Sequence, residues 1–213
     1  MKLLLGLLCL LCACSRPDKR VVDDKPTAVA VDAEHALIKT GTVGTPETKT
    51  DGTYVFVDVK NNSGEDRLIA VVGKLLDADG KEVGALHWDE MRVPAGAIRT
   101  FALVSKDPVA GAVQATYRVV RAEALAHPAE VVIEEATTPR QDGALVAAGW
   151  LRNREQRGGS AVAAATFYGK GGKILGRPFT IVRIPPGARR PVRFVGPKDA
   201  AEVVLFVGEV VFE

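Results

Sequence analysis

Apolar and polar residues alternate along most of the chain with a period of two. Val55, Val57 and Val59 are interleaved with Phe56, Asp58 and Lys60, the signature of a half-buried strand. Asn61-Asn62-Ser63-Gly64 then interrupts the alternation with residues that tolerate left-handed backbone or bond to it locally. Leu68 to Leu76 is a return strand rich in branched residues, and Asp77-Ala78-Asp79-Gly80 closes it, Gly80 supplying the positive φ that such a turn needs. The same design recurs without a gap 92 positions on, where Asn61 falls on Asn153, Gly80 on Gly172, Lys81 on Lys173 and Gly84 on Gly176. Self-similarity at a fixed period is the mark of a duplicated structural unit.

The remaining elements follow from the same rule. In the first unit, Leu37-Ile38 predicts a short strand, followed by a Thr/Gly/Pro-rich loop to Gly52 and the central strands Thr53–Lys60 and Leu68–Asp77. The chain then runs through Ala85-Leu86-His87-Trp88 and Met91-Arg92-Val93 to a turn at Pro94-Ala95-Gly96 and strands at Ile98–Val104 and Val113–Arg121. The second unit predicts strands at Val131–Ala136, Ala144–Arg152, Ala161–Tyr168, Phe179–Ile184, Arg189–Val195 and Glu202–Phe212. No window carries a clear helical stripe, although Val119–Leu125 is ambiguous. The expectation is an all-β chain of antiparallel hairpins stacked as sheets, with a first domain at 36–127 and a second at 128–213.

Several of these positions carry a family likeness. Val57-Asp58-Val59-Lys60-Asn61, then Leu75-Leu76-Asp77-Ala78-Asp79-Gly80-Lys81, Pro94-Ala95-Gly96 and Phe101 resemble the FxLYD-type domains of bacterial envelope proteins. Gly149 to Asn153, Phe167 to Lys173, Pro186-Gly187 and Phe194 repeat the pattern. Leu76 stands where the pattern has Tyr, and Gly169 where it has Asp. The resemblance implies two tandem immunoglobulin-like β-sandwiches without enzymatic activity. Its motifs are turn and core positions, so it is silent about ligand.

The amino terminus adds a location. Met1-Lys2 precedes the apolar run LLLGLLCLL, too short for a membrane span of roughly twenty residues and suited to a secretory signal over residues 1–13. Leu11-Cys12-Ala13-Cys14 resembles the bacterial lipobox, which implies that Cys14 becomes the acylated first residue of the mature chain. Ser15 is not the Asp that keeps many such lipoproteins at the inner membrane, so the resemblance favours the outer membrane. The three cysteines are Cys9, Cys12 and Cys14, which leaves none for a disulfide in the folded region. Residues 14–35 mix both charges with two prolines and read as a lipidated, flexible tether. Alternation over Ala28–Val31 also fits an edge strand.

Charge is nearly balanced, with a formal net charge of +2, which gives no basis for a nucleic-acid partner. It is unevenly spread: residues 36–127 carry 11 basic and 12 acidic side chains, and residues 128–213 carry 12 basic and 9 acidic ones. Arg183, Arg189, Arg190 and Arg193 flank the Pro185-Pro186-Gly187 turn, with Arg152, Arg154 and Arg157 on another loop. Guanidinium forks suit carboxylate or phosphate, while the plainer account is edge charge that discourages sheet-to-sheet aggregation.

His87-Trp88-Asp89-Glu90 puts neighbours on opposite strand faces and falls short of a metal site. Gly169-Lys170-Gly171-Gly172-Lys173 precedes a strand rather than a helix, so it reads as a hairpin turn and not a phosphate loop. Trp150, Phe167, Tyr168 and Phe179 raise the prospect of an aromatic platform, against a buried tryptophan. Trp150 replaces Asp58 of the first copy, which predicts a solvated face in one unit and a covered one in the other.

No nucleophile–base pair can be assembled from three scattered histidines and no cysteine beyond Cys14, so neither catalysis nor a cofactor is expected. The chain reads as an envelope lipoprotein that scaffolds a protein partner through a sheet edge or the Trp150 face. The alternative is a module binding anionic lipid or glycan through Arg183, Arg189, Arg190 and Arg193.

Overall fold

The computed structural model describes residues 28–43 and 50–213; the expected signal segment, Cys14 and most of the expected tether lie outside them. The chain is all-β, with a single 3-10 turn at Lys170–Gly172 and no α-helix among the described residues. The first half holds β1 (Val29–Val43), β2 (Thr50–Asn61), β3 (Arg67–Leu76), β4 (Glu82–Val93), β5 (Ile98–Ser105) and β6 (Gln114–Ala124). The second holds β7 (Val131–Thr137), β8 (Arg140–Gln141), β9 (Ala144–Asn153), β10 (Gly159–Tyr168), β11 (Ile174–Gly176), β12 (Phe179–Ile184), β13 (Arg189–Val195) and β14 (Glu202–Phe212).

All pairs are antiparallel, and the two halves pair alike. In the first, β1-β2-β5 and β4-β3-β6 are joined where His87 pairs with Val104, into a six-stranded order. In the second, β7-β9-β13 and the β10-centred sheet with β11, β12 and β14 stand apart. Each half therefore has one sheet centred on β2 or β9 facing another centred on β3 or β10.

Asn61 and Asn153 hold the same post in both. Each is fully buried, and each donates from Nδ2 to three backbone carbonyls: Glu65, Val93 and Pro94 for Asn61, Arg157, Ile184 and Pro185 for Asn153. Their Oδ1 atoms accept the Ser63 and Glu155 amides. One side chain thus satisfies polar groups where the strand turns away from its sheet. Asn153→Ala should cost about 2–4 kcal/mol, because several buried carbonyls lose a donor at once. Chemical denaturation checks this, and Asn153→Asp should be no better, since it has no N–H to give.

The turns repeat as well, with one local change. The Asp77 amide donates to Lys81 O and the Gly169 amide to Lys173 O. The Asp77 carboxylate also accepts the Asp79 and Lys81 amides. Gly169 has no such side chain; there the loop tightens into the 3-10 turn, with Gly171 and Gly172 at φ 74° and 81°. This loop is a hairpin turn, as its alignment with Asp77–Lys81 predicts.

Several boundaries differ from expectation. β1 runs from Val29 to Val43, so the edge-strand reading of Ala28–Val31 is the right one, residues 29–35 are strand rather than tether, and Leu37-Ile38 is part of a long strand instead of a short one. β2 already begins at Thr50, within the stretch expected as a loop to Gly52. Glu82–Val93 is one continuous strand although Gly84, His87 and Asp89 break its alternation. The ambiguous Val119–Leu125 stretch belongs to strand, through Ala124.

Two main apolar clusters fill the halves, and they are not cleanly separated. Val55, Val57, Ile69, Leu75, Phe101 and Leu103 share the first with Ala164 and Phe206, which come from β10 and β14. Phe56, Tyr168 and Ile174 form a third cluster with Leu37, Tyr54, Ala102 and Val204 around it. Apolar burial thus crosses from one half to the other.

Candidate functional site: a polar seam and an open sheet face

The outward side of β2 and β5 is where the halves meet. Asp58 on β2 is 9% exposed, and Oδ1 accepts from the hydroxyls of Thr100, its cross-strand neighbour, and Tyr168 of the second half, at 3.1 Å for Tyr168. Burial raises the Asp58 carboxyl above its ordinary 3.8; the two hydroxyls and His35 pull it down, and Asp32 pushes it up. Burial, with the Asp58 charge beside it, also drives the Tyr168 phenol upward. The expectation of a solvated Asp58 face is therefore overturned: Tyr168 and Ile174 cover it, and hydrogen bonds rather than water hold the carboxylate.

That arrangement has a pH signature. Between pH 3.8 and the raised native value, the folded chain binds more protons at Asp58 than the unfolded chain does. Asp58 stabilises least above its native pKa, so its contribution falls as pH rises through that window. Asp58→Asn, whose carbonyl still accepts both hydroxyls, should melt higher than wild type at pH 7 and lose the advantage towards pH 3. Parallel melting curves across that range check the sign.

A second polar contact lies along the seam. His87 of β4 pairs with Val104 of β5, and two residues on Asp89 Oδ2 accepts the Ala102 amide at 2.8 Å where a strand would otherwise do so. Arg177, just after β11, has 7% of its side chain exposed and stands 3.9 Å from Asp89 Oδ2, while Asp89 keeps 24% in contact with water. Burial lowers the Arg177 pKa and raises that of Asp89, and each charge opposes the shift of the other. The Arg177 and Arg99 guanidinium groups both lie over the Phe206 ring, each 5.4 Å from its centroid. Asp89 and Glu90 are thus engaged by Arg177 and Arg121. No group of three His, Cys, Asp or Glu suited to a metal occurs among the described residues, and the Trp88 side chain lies outside them.

The equivalent face of the second half is open. Trp150 on β9 is 38% exposed, so it is not a core residue. It lies opposite Pro191 of β13 and Glu134 of β7, and the Arg189 guanidinium sits over its ring at 5.0 Å. Register places Ala148, Arg152, Arg189, Arg193 and Val195 on the same face, Val195 being 53% exposed. The other predicted platform aromatics are elsewhere: Phe167 is in the second core, Tyr168 in the seam, and Phe179 against the first core. No aromatic platform forms.

The arginines divide similarly. Arg183 is on β12 in the other sheet and pairs with Glu213 at 3.3 Å. Arg189 pairs with Glu134 and Glu135 at 3.3 and 2.8 Å, Arg190 donates to the Arg189 carbonyl, and Arg193 to Gln141. Arg157 reaches Glu130 at 3.6 Å and covers the Phe212 ring. The residues that sequence reasoning missed are Tyr168, Asp89, Arg177 and Phe206 as a joint. A signal existed, because Tyr168 and Arg177 fall on Leu76 and Ala85 of the first copy and break its polarity.

No protein-family model matches the chain, and no curated protein matches it.

Proposed function

We propose that this chain is a non-enzymatic, lipid-anchored protein of the bacterial envelope that holds a protein partner near the outer membrane on the Trp150 face. The anchor rests on the lipobox-like Leu11–Cys14 stretch. One observation carries the docking role: the face that the second half covers in the first unit is left open, with a large aromatic at its centre, in the second. Tryptophan is a recurrent anchor of protein interfaces. Docking is by the face and not by strand addition. β13 is the edge of its sheet, but Pro191 removes a donor from its middle and three arginines surround it.

The alternative, an anionic lipid or glycan held by the arginine-rich end, has weaker support. Arg183 is in another sheet, and Arg189 is already neutralised by two glutamates. Capture from detergent-solubilised envelope separates the two. Trp150→Asp should weaken partner capture about tenfold or more, while Arg190→Gln and added salt change it little. Capture that survives Trp150→Asp but fails with salt and Arg190→Gln would refute docking on this face.

A further inference from the structure

A cleft of about 830 Å³ runs along the seam between the halves, within the roughly 300–1,000 Å³ usual for small-molecule sites. Met91 and Leu125 line it from one side, Val132, Leu205 and Val207 from the other, and Phe206 between them. Of its lining residues, Val132 lies opposite Arg152 and borders the Trp150 face, while Trp150, Arg189 and Arg193 are not part of it.

The ionised groups of the cleft are mostly cancelled. Arg92 is bonded to Asp66, Glu90 to Arg121, Glu130 to Arg157 and Asp89 to Arg177. Glu209 is exposed on β14, with its charge in water. Arg99 is the exception. It is half-buried, burial lowers its pKa, and its contacts are its neighbour's carbonyl, Ile98 O, at 2.8 Å and the Phe206 ring. Asp66, whose charge it senses, is already taken by Arg92 and the Ala95 amide. Among the described residues Arg99 has no carboxylate partner. A half-buried guanidinium with free donors beside the aliphatic side chains of a cleft is complementary to a carboxylate or phosphate attached to an apolar stem.

The walls restrict the stem. Their apolar side chains are aliphatic apart from Phe206, which is 1% exposed and so offers no face for stacking against a sugar or base; Asp89, Glu90, Arg92, His127, Glu130 and Glu209 supply, with Arg99, the polar part of the lining. An alkyl chain needs only the aliphatic side chains. We propose that the seam cleft binds a single-tailed anionic amphiphile, its acyl chain along Leu125, Ile133 and Leu205 and its anionic head on Arg99.

Isothermal titration of the full chain carrying Cys14→Ser, with dodecanoate, dodecyl phosphate and dodecanol below their micellar concentrations, tests this. One saturable site is expected for both anions, the tighter of them naming the head group. Arg99→Gln should weaken both anions tenfold or more and leave the neutral dodecanol unchanged. Ala136→Trp, placed at the exposed rim of the cleft, should abolish binding of all three and spare the core. Absence of saturable binding to the wild-type chain overturns the proposal. So does undiminished anion binding in a folded Arg99→Gln chain, or in Ala136→Trp should Arg99→Gln fail to fold. Loss of binding with Arg190→Gln in place of Arg99→Gln overturns it too.

Discussion

Asp89→Ala is expected to destabilise the chain by about 3–5 kcal/mol, because it strands a buried guanidinium without an anion. Arg177 has 7% of its side chain exposed, and Asp89, at 3.9 Å, is its ion-pair partner. The same change takes the acceptor from the Ala102 amide at the point where β4 and β5 part. Arg177→Met should be the milder substitution. It removes a charge that burial disfavours, and the Asp89 left behind keeps 24% of its side chain in water and its bond to Ala102. The Met side chain still packs on the Phe206 ring. Denaturant midpoints of the two variants and of the double substitution check this order. Arg177→Met costing as much as Asp89→Ala would mean that the pair contributes attraction well beyond the cost of burying it.

Phe206→Ala is the second large effect. Phe206 is 1% exposed and belongs to the cluster of Val55, Ile69, Phe101 and Leu103, although its own strand is in the second half. Truncating a buried Phe removes transfer free energy and leaves a cavity, together about 3–5 kcal/mol. The location of the loss is the informative part. Hydrogen exchange should accelerate in β2 and β5 as well as in β10 and β14. Faster exchange confined to the second half would show that Phe206 is not part of the first core.

These two substitutions also mark what the sequence conceals. The duplication is legible because strand alternation and turn residues are local: the 92-residue offset that aligns Asn61 with Asn153 aligns their hydrogen bonds too. The strands at Phe179–Ile184, Arg189–Val195 and Glu202–Phe212 have their predicted limits for the same reason. β4 escaped because Asp89 and His87 interrupt its pattern, and Asp89 does so to serve Ala102 and Arg177.

The seam was harder to read. Asp58 looks like a solvent-facing residue within its own strand, and the hydroxyl that keeps it buried belongs to Tyr168, 110 positions away. Likewise Trp150 looks like core material, yet nothing in the described chain covers it fully. Positions where the copies disagree in polarity point to contacts outside the unit, but the sign of the disagreement does not tell which copy is covered. Of the candidate interaction residues, the structure brings Trp150, Arg189 and Arg193 to one face and leaves Arg183 in another sheet.

The central claim is that the two repeats share one core along the Asp58–Tyr168 and Asp89–Arg177 seam, so that only one of two equivalent faces remains for a partner. Differential scanning calorimetry of the full chain tests it most directly. A shared core predicts one transition whose van't Hoff enthalpy matches the calorimetric enthalpy. Two resolved transitions, or a van't Hoff enthalpy near half the calorimetric value, would show two sandwiches that melt independently and contradict the account.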